Sequence, residues 1–494
     1  MEFLEPSEKK ARTIRLFIGY ALLAVVVGLT TTILVFQAQG FGYDRDKGVT
    51  RNGLLFIDAK PASAAITLDG TTLSDKTNAR INLSEGVHTV KLNIDKYREW
   101  TKQFTIEGGE VKYLLYPRLF PKDIPLGVTR VLPQAPAWAK QSPDRHWLVY
   151  QQTTNSAVLA VADLLKPTDN PVITALPATV LPNENGNYGT LKPTEWSDDN
   201  KHLLLLQTLP SGATTYVMFN REKPDESQNI TKALSLTADQ QLTLRDKKFD
   251  KYYVFSPTKG ELRNATIKTN TVSEPFLTGV VSFKSHGDDI VYYVTYVGAK
   301  DTEANLVVLV DQKNKFNLKP IPRETSGKYL LNLAKFDGDW FYVAGSNSNP
   351  LVRIYKNPLA RVKANSTTQA LPQVSLRIDN PQFVSFSDNT RFIAAQSGKQ
   401  FVVFDAEDAR VYRYEMQLNI AKEQQAVWMD GHRLVANSDG RIFVFDFDGA
   451  NAQNLVSSIP ALNAYFDRDY EFLYSFVQQA DGKVAFQNAR LVLQ

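Results

Sequence analysis

The chain has no cysteine among its 494 residues. Disulfide staples and thiolate metal ligands are therefore excluded, and any exported part must be held together by buried apolar surface. The absence also points away from an animal secreted protein, where disulfides are common. Histidine is scarce: His88, His146, His202, His286 and His432 are the five, and none has a partner at metal-ligand spacing. No Gly-x-Ser-x-Gly, Walker-type loop or His-Glu-x-x-His occurs. Asp44-Arg45-Asp46-Lys47-Gly48 lacks the third acidic ligand and distal Glu of a calcium loop, and Asp446-Phe447-Asp448-Gly449-Ala450-Asn451 fails in a similar way. The sequence thus nominates no catalytic, cofactor-binding or metal-binding residue, and no cofactor or enzymatic activity is expected. Nor is there a Lys/Arg block in the body of the chain. With 56 basic and 52 acidic residues the net charge is +4, which leans weakly toward anionic envelope polymers and not toward nucleic acid.

Charge is also missing from Leu16 to Phe36, a run of 21 residues. At about 1.5 Å per helical residue the run reaches about 31 Å, the thickness of a hydrocarbon layer. Thirteen of its residues are Leu, Ile, Val or Phe, and a helix satisfies its own backbone in lipid. Lys9, Lys10, Arg12 and Arg15 crowd its N-terminal flank, whereas Arg45, Lys47 and Arg51 beyond it are mixed with Asp44 and Asp46. The basic bias places the N-terminus in the cytoplasm. The run is longer than the apolar core of a cleaved signal peptide, and Gln37-Ala38-Gln39 is a poor cleavage site. The expected order is a cytoplasmic tail over 1–15, a transmembrane helix over 16–38 and a polar linker over 39–52 containing Gly40, Gly42 and Gly48.

From Gly53 the pattern turns to short strands. Leu54 to Asp58 is apolar, Pro61 breaks it, and Ala65 to Leu68 runs into an Asp69-Gly70 turn. Glu85-Gly86 is another turn, His88 to Asn93 alternates, and Gly108-Gly109 separates Phe104 and Ile106 from a last strand at Val111 to Tyr116. The pattern Pro61…Ala64, Asp69-Gly70, Glu85-Gly86-x-His88-x-Val90 and Tyr97-x-x-Trp100 closely resembles a PEGA domain over 53–121. The eponymous tetrapeptide reads Pro61-Ala62-Ser63-Ala64 here, and Lys96 stands where a Gly precedes the Tyr. The resemblance implies a small β-sandwich accessory module of surface or envelope proteins, with no catalytic residue to carry over. Tyr97 and Trp100 are expected to pack a core.

The remainder, 124–494, repeats. Eight units each open with an Asp-containing turn and then a hydrophobic strand, with leading residues Asp144, Asp198, Asp250, Asp288, Asp337, Asp388, Asp430 and Asp467. Their spacings run from 37 to 54 residues, around the 40–50 or so of a four-stranded propeller blade. Gln400-Phe401-Val402-Val403-Phe404-Asp405 and Arg441-Ile442-Phe443-Val444-Phe445-Asp446 are twin strands ending in Asp. The units resemble WD-repeat-like propellers in diverged form, lacking the Gly-His and Trp-Asp signatures. The expected fold is mainly β: one transmembrane helix, a PEGA-type β-sandwich and a β-propeller of eight blades, with seven as the alternative count. Val128 to Leu132 is expected to close the ring against the last blade. The turn Asp residues are expected to bond their own backbone two residues on.

The function that follows is a membrane-anchored extracytoplasmic binding or scaffold protein of the bacterial envelope. It is tethered through Leu16–Phe36, with the propeller as a platform for an envelope polymer or protein. Trp138, Trp147, Trp196, Trp340 and Trp428 are expected to pack between blades before they stack on sugars. The alternative is a membrane-bound propeller hydrolase or lyase acting on envelope glycans, for which Asp198-Asp199 and Asp288-Asp289 are the visible carboxylate pairs. The sequence does not specify an oligomeric state.

Overall fold

The computed structural model describes residues 6–38, 41–44, 48–364 and 369–493. It divides into two compact units, Met1–Asp123 and Ile124–Gln494. In the first, α1 (Pro6–Ala38) contains one span, Arg12–Phe36, long and apolar enough to cross a membrane, with a mean hydropathy of 2.2 and every residue exposed. Thr30, Thr31 and Thr32 return their hydroxyls to the carbonyls of Val26, Val27 and Gly28 at 2.8 Å, so these polar groups are satisfied within the helix.

The β-part of this unit has eight strands: β1 (Phe41–Asp44), β2 (Gly48–Ile57), β3 (Ala65–Leu68), β4 (Thr71–Lys76), β5 (Ala79–Ser84), β6 (Gly86–Asn93), β7 (Trp100–Ile106) and β8 (Val111–Leu114). One sheet runs β1-β2-β5 with β8 parallel to β2; the other runs β4-β3-β6-β7. The stretch read as a linker, 39–52, carries β1 and the start of β2, paired from Phe41↔Arg51 to Asp44↔Gly48. Backbone pairing needs no apolar side chains, so a polar stretch conceals a hairpin. Residues 39–40 and 45–47 of that stretch lie outside the described residues. Leu55, Ile57, Ile66, Val90, Leu92, Trp100 and Ile106 are fully or almost fully buried, on strands of both sheets. Asp69 and Gly70 both adopt positive φ, +48° and +83°, as a two-residue hairpin turn between β3 and β4 requires.

The second unit begins with β9 (Leu126–Leu132) and continues as eight four-stranded antiparallel sheets. Blade 1 is built from Trp138–Gln141, Trp147–Gln151, Val158–Asp163 and Val172–Ala175. Blades 2 to 7 span 190–229, 241–277, 280–322, 329–377, 383–415 and 427–457. Blade 8 comprises Tyr465–Phe466, Phe472–Gln478 and Val484–Arg490, and its fourth strand is β9. The strand containing Val128 to Leu132 thus closes the ring against the last blade, as expected. The short spacing between Asp250 and Asp288 hides no missing strand, since blades 3 and 4 are joined by two residues, Thr278 and Gly279.

The second strand of each blade reads as a solid apolar run because both of its faces are covered. Leu203 and Leu205 pack toward blade 1, and Leu204 toward blade 3. Tyr252 and Val254 face blade 2, and Tyr253 and Phe255 face blade 4. Leu148 and Tyr150 of blade 1 share a core with Leu132, Tyr474, Phe476 and Phe486 of blade 8, which closes the circle. A single blade leaves both faces wet, so the stable unit is the ring. The fourth strands of blades 1 and 6 are half-exposed or exposed throughout, and first strands of neighbouring blades touch. First strands therefore surround the axis and fourth strands form the rim.

Candidate binding face at the channel mouth

The turns joining first to second strands lie together at one end of the axis and carry most of the Asp residues that open the repeats. Local hydrogen bonding explains their composition. Asp144 accepts from the backbone N–H of His146 at 3.1 Å, Asp199 from Lys201 at 2.8 Å, and Asp430 from His432 and Arg433, both at 2.8 Å. Ser142 and Ser387 each take the N–H of the residue five further on at 3.0 Å. These are Asx and Ser turns, in which a short polar side chain replaces a backbone partner.

Other turn residues link blades. Asn200 Oδ1 of blade 2 accepts from the Asp144 N–H at 3.1 Å, and Arg468 of blade 8 approaches Asp144 at 3.5 Å. Lys248 pairs with Asp198, and Arg245 and Lys251 meet Asp288 at 3.2 and 3.1 Å. The widest link joins Arg145 of blade 1 to Asp388 of blade 6. Those blades are three steps apart around the ring, so the pair crosses the mouth of the channel. The Arg145 guanidinium also lies over the Tyr470 ring of blade 8, 5.0 Å from its centroid.

Asp388, Asp467 and His432 are among the groups here that titrate abnormally. Desolvation pushes the Asp388 carboxyl up and neighbouring Asp430 adds to the rise, while Arg145 opposes it. The side chain is still 44% exposed, the combination expected of a group in water but walled by protein. Burial raises Asp467 to about 6, helped by Asp469 and Glu471. Burial also lowers His432 to about 4, with Arg433 and Arg391 assisting against Asp430.

A second tier of polar residues ties strand to strand. His146 reaches Asp163 at 3.0 Å, Arg391 forks onto Asp405, and Arg433 lies 3.7 Å from Asp446. Each acid ends the third strand of its blade, and each basic partner stands at the start of the second. The two Asp-terminated strands recognised in the sequence, ending at Asp405 and Asp446, thus supply the acidic halves of buried clamps, and Asp163 is a third acid at the same place in its blade. Their basic partners lie 14, 13 and 17 residues earlier (405−391, 446−433 and 163−146), and the repeat pattern alone did not pair them.

Three of the four acids nominated for hydrolysis are held by basic partners. Asp198 is held by Lys248, and Asp199 by His202 at 2.6 Å. Asp288 is held by Arg245 and Lys251 on the far side of blade 3. The tryptophans pack: Trp138 and Trp196 lie in the core between blades 1 and 2, and Trp428 stacks near Phe392 and donates to Ser385 at 3.0 Å. Arg221 covers the Trp147 face at 3.9 Å, and Trp340 sits against His286 and Tyr342. In the first unit, Asp69 and His88 of the PEGA-like pattern meet at 2.6 Å, and His88 also contacts the Ser84 carbonyl at 2.8 Å. Those residues therefore brace hairpins, while Tyr97 and Trp100 are buried. A cleft of about 320 Å³ between Arg377, Gln400 and Arg413 lies on the rim strands, away from the channel. Among the described residues no cluster of His, Asp or Glu has the arrangement of a metal site.

Residues 52–117 match the PEGA domain family. No curated protein matches the chain. Among solved structures, the chain is similar to the β-propeller domain of Myceliophteria thermophila Cps50 (Swd1). Identity there is 8%, with 74% of this chain and 100% of that one covered and a TM-score of 0.37. It is also similar to an oligogalacturonate lyase in complex with manganese, at 9% identity, 74% and 98% coverage and a TM-score of 0.39. A third is Kuenenia stuttgartiensis hydrazine synthase, at 11% identity, 61% and 95% coverage and a TM-score of 0.39.

Proposed function

We propose that this PEGA-domain chain is a membrane-anchored extracytoplasmic binding or scaffold protein of the bacterial cell envelope. α1 holds it in the membrane with residues 1–15 in the cytoplasm, a placement supported by Lys9, Lys10, Arg12 and Arg15 before the uncharged run. The PEGA domain, a module of surface and envelope proteins, follows in the chain at 53–121. The propeller over 124–494 presents its turn face to a polymer or protein partner, as loops on a rigid scaffold do.

One observation carries the reading. The turn carboxylates that could have formed an acid pair are engaged elsewhere: Asp144, Asp199 and Asp430 in their own turns, Asp198 and Asp288 with Lys248 and Arg245. That use of the turn acids builds a shaped surface, which supports a binding face. The test is a pull-down with the full chain in detergent against isolated wall and envelope fractions. Enrichment of a defined glycan or protein is expected, and no enrichment overturns the reading.

The alternative, a membrane-bound hydrolase or lyase acting on envelope glycans, draws on Asp388 and Asp430. These neighbours have pKa values pushed in opposite directions, up and down respectively. It predicts turnover of envelope glycan that Asp388→Asn abolishes; undiminished turnover in that variant, or none in the wild type, retires it.

A further inference from the structure

We infer that this chain pairs with a second copy of itself through the open edge of β8, Val111–Leu114, and the residue that follows it, Leu115. The inference concerns the first unit and goes beyond the binding reading above, which concerns the propeller.

Parallel pairing with β2 leaves one edge of β8 open. The Leu54 N–H donates to the Glu110 carbonyl at 2.8 Å and the Asp58 N–H to the Leu114 carbonyl at 3.0 Å. Leu54 stands beside Val111 and Phe56 beside Tyr113. In such a ladder Lys112 and Leu114 direct their backbone groups at β2, so those of Val111, Tyr113 and Leu115 point away from it. Among the described residues β8 pairs with no strand but β2. The side chains of the same three residues alternate onto one face and are 46%, 57% and 56% exposed. Phe56 adds to that face, its ring stacked on Tyr113 with centroids 5.3 Å apart. Natural edge strands are blunted by an outward lysine, a proline or a bulge. Here Lys112 turns to the covered face, where it is 13% exposed and meets Glu110 at 2.8 Å. The first proline is Pro117, beyond the open residues.

The edge is complementary to itself. An antiparallel copy centred on Tyr113 sets Val111 opposite Leu115 of the second copy, Tyr113 opposite its own counterpart, and Leu115 opposite Val111. In this register every outward N–H and C=O finds a partner, because each opposed pair exchanges two hydrogen bonds. A shift of one residue would set outward groups against inward ones. A shift of two brings in Pro117, which has no N–H, or Gly109, which lies in a turn. The centred register also stacks apolar side chains on apolar side chains across the seam. No like charges meet, since Lys112 falls opposite Leu114 and Glu110 opposite Tyr116. The twofold axis passes through Tyr113, so the contact is isologous and closes at two copies. Anchored by α1 in one membrane, the copies meet at a raised effective concentration, which favours a short seam of this kind.

The chain has no cysteine, so single introduced cysteines report the register without background. The test is mild oxidation of membranes from cells expressing the full chain. Tyr113→Cys should yield a covalent dimer, because the Cα atoms of an opposed pair lie about 5.5 Å apart, a span that a disulfide bridges. Val87→Cys, 62% exposed on β6 of the other sheet, should yield about tenfold less. Val111→Cys alone should not cross-link, since its counterpart lies about 13 Å further along the seam. Co-expressed with Leu115→Cys, it should. Adding Tyr113→Lys to both of those chains sets like charges against each other and should reduce the mixed dimer about tenfold, with thermal unfolding unchanged. Tyr113→Cys dimer no more abundant than that of Val87→Cys overturns the inference. So does a Val111→Cys dimer that forms as well without Leu115→Cys. A Tyr113→Cys adduct with a different protein also overturns it, because the edge then seats a foreign strand. Should the chain fractionate away from the membranes, the anchor reading fails by itself, and the same oxidation of the soluble chain still decides the pairing. A chain that does not pair yet captures an envelope partner leaves the platform reading standing.

Discussion

Removing the Arg391 guanidinium should be among the most damaging single changes in the propeller. Asp405 is completely buried at the end of the third strand of blade 6. Arg391 donates to both its oxygens, Nε at 2.9 Å and Nη2 at 2.6 Å, and the Glu407 and Asp408 N–H groups complete the set at 3.0 and 3.3 Å. Burial works against the Arg391 charge, but the hydrogen bonds and fields of Asp405, Glu407 and Asp408 more than offset it, so the pKa of the guanidinium rises. Arg391→Met keeps the apolar stem and leaves a buried carboxylate with backbone donors alone. Breaking a buried pair from one side costs about 3–5 kcal/mol. The two remaining N–H donors place this case near the lower end, about 3 kcal/mol. Asp405→Asn keeps one acceptor oxygen and should cost less, about 1–2 kcal/mol. The double variant should be more stable than the sum of the single changes implies, with a coupling of about 1–3 kcal/mol. Urea unfolding followed by tryptophan fluorescence measures all three. A loss below about 1 kcal/mol in Arg391→Met, or no coupling, would show that the clamp is solvated and that Asp405 serves only its turn.

Two further outcomes follow from the same geometry. Asp467 holds its proton to about pH 6 in the fold and to about 3.9 when unfolded, so the folded state binds more protons in that window and its stability falls as pH rises from about 4 to 6. His432, lowered to about 4, acts oppositely, because below its unfolded value the unfolded chain takes up the proton and stability is lost as pH falls from about 6.5 to 4. Asp467→Asn retains an acceptor for the Phe472 N–H at 3.0 Å and removes only the first effect, so its melting temperature should gain on wild type at pH 7 relative to pH 4; an equal difference at both pH values refutes the assignment. Leu132 of β9 is 1% exposed in the core shared by blades 8 and 1, so Leu132→Ala should cost about 2–5 kcal/mol. The exposed Val128→Ala on the same strand should cost under about 0.5 kcal/mol. Similar losses at both positions in urea unfolding would mean that β9 does not close the ring.

Some features of this chain needed only near neighbours to be legible. The uncharged run announces α1 because hydrophobic length is counted along the sequence. Asp69-Gly70 and the aspartates opening each blade reveal hairpins because their partners are two or three residues away. The repeat itself, eight turns each followed by an apolar strand, points to a ring because strands buried on both faces need neighbours on both sides. Other features depend on where that ring closes. Arg145 and Asp388 are 243 residues apart and meet only because their blades stand across one channel. The Arg391–Asp405 and Arg433–Asp446 clamps need the register of the second strand against the third, and the β1–β2 hairpin needs a pairing that polar side chains do not advertise. Local periodicity specified each blade, whereas the lining of the channel was decided by curvature and closure, which bring residues from distant blades around one axis.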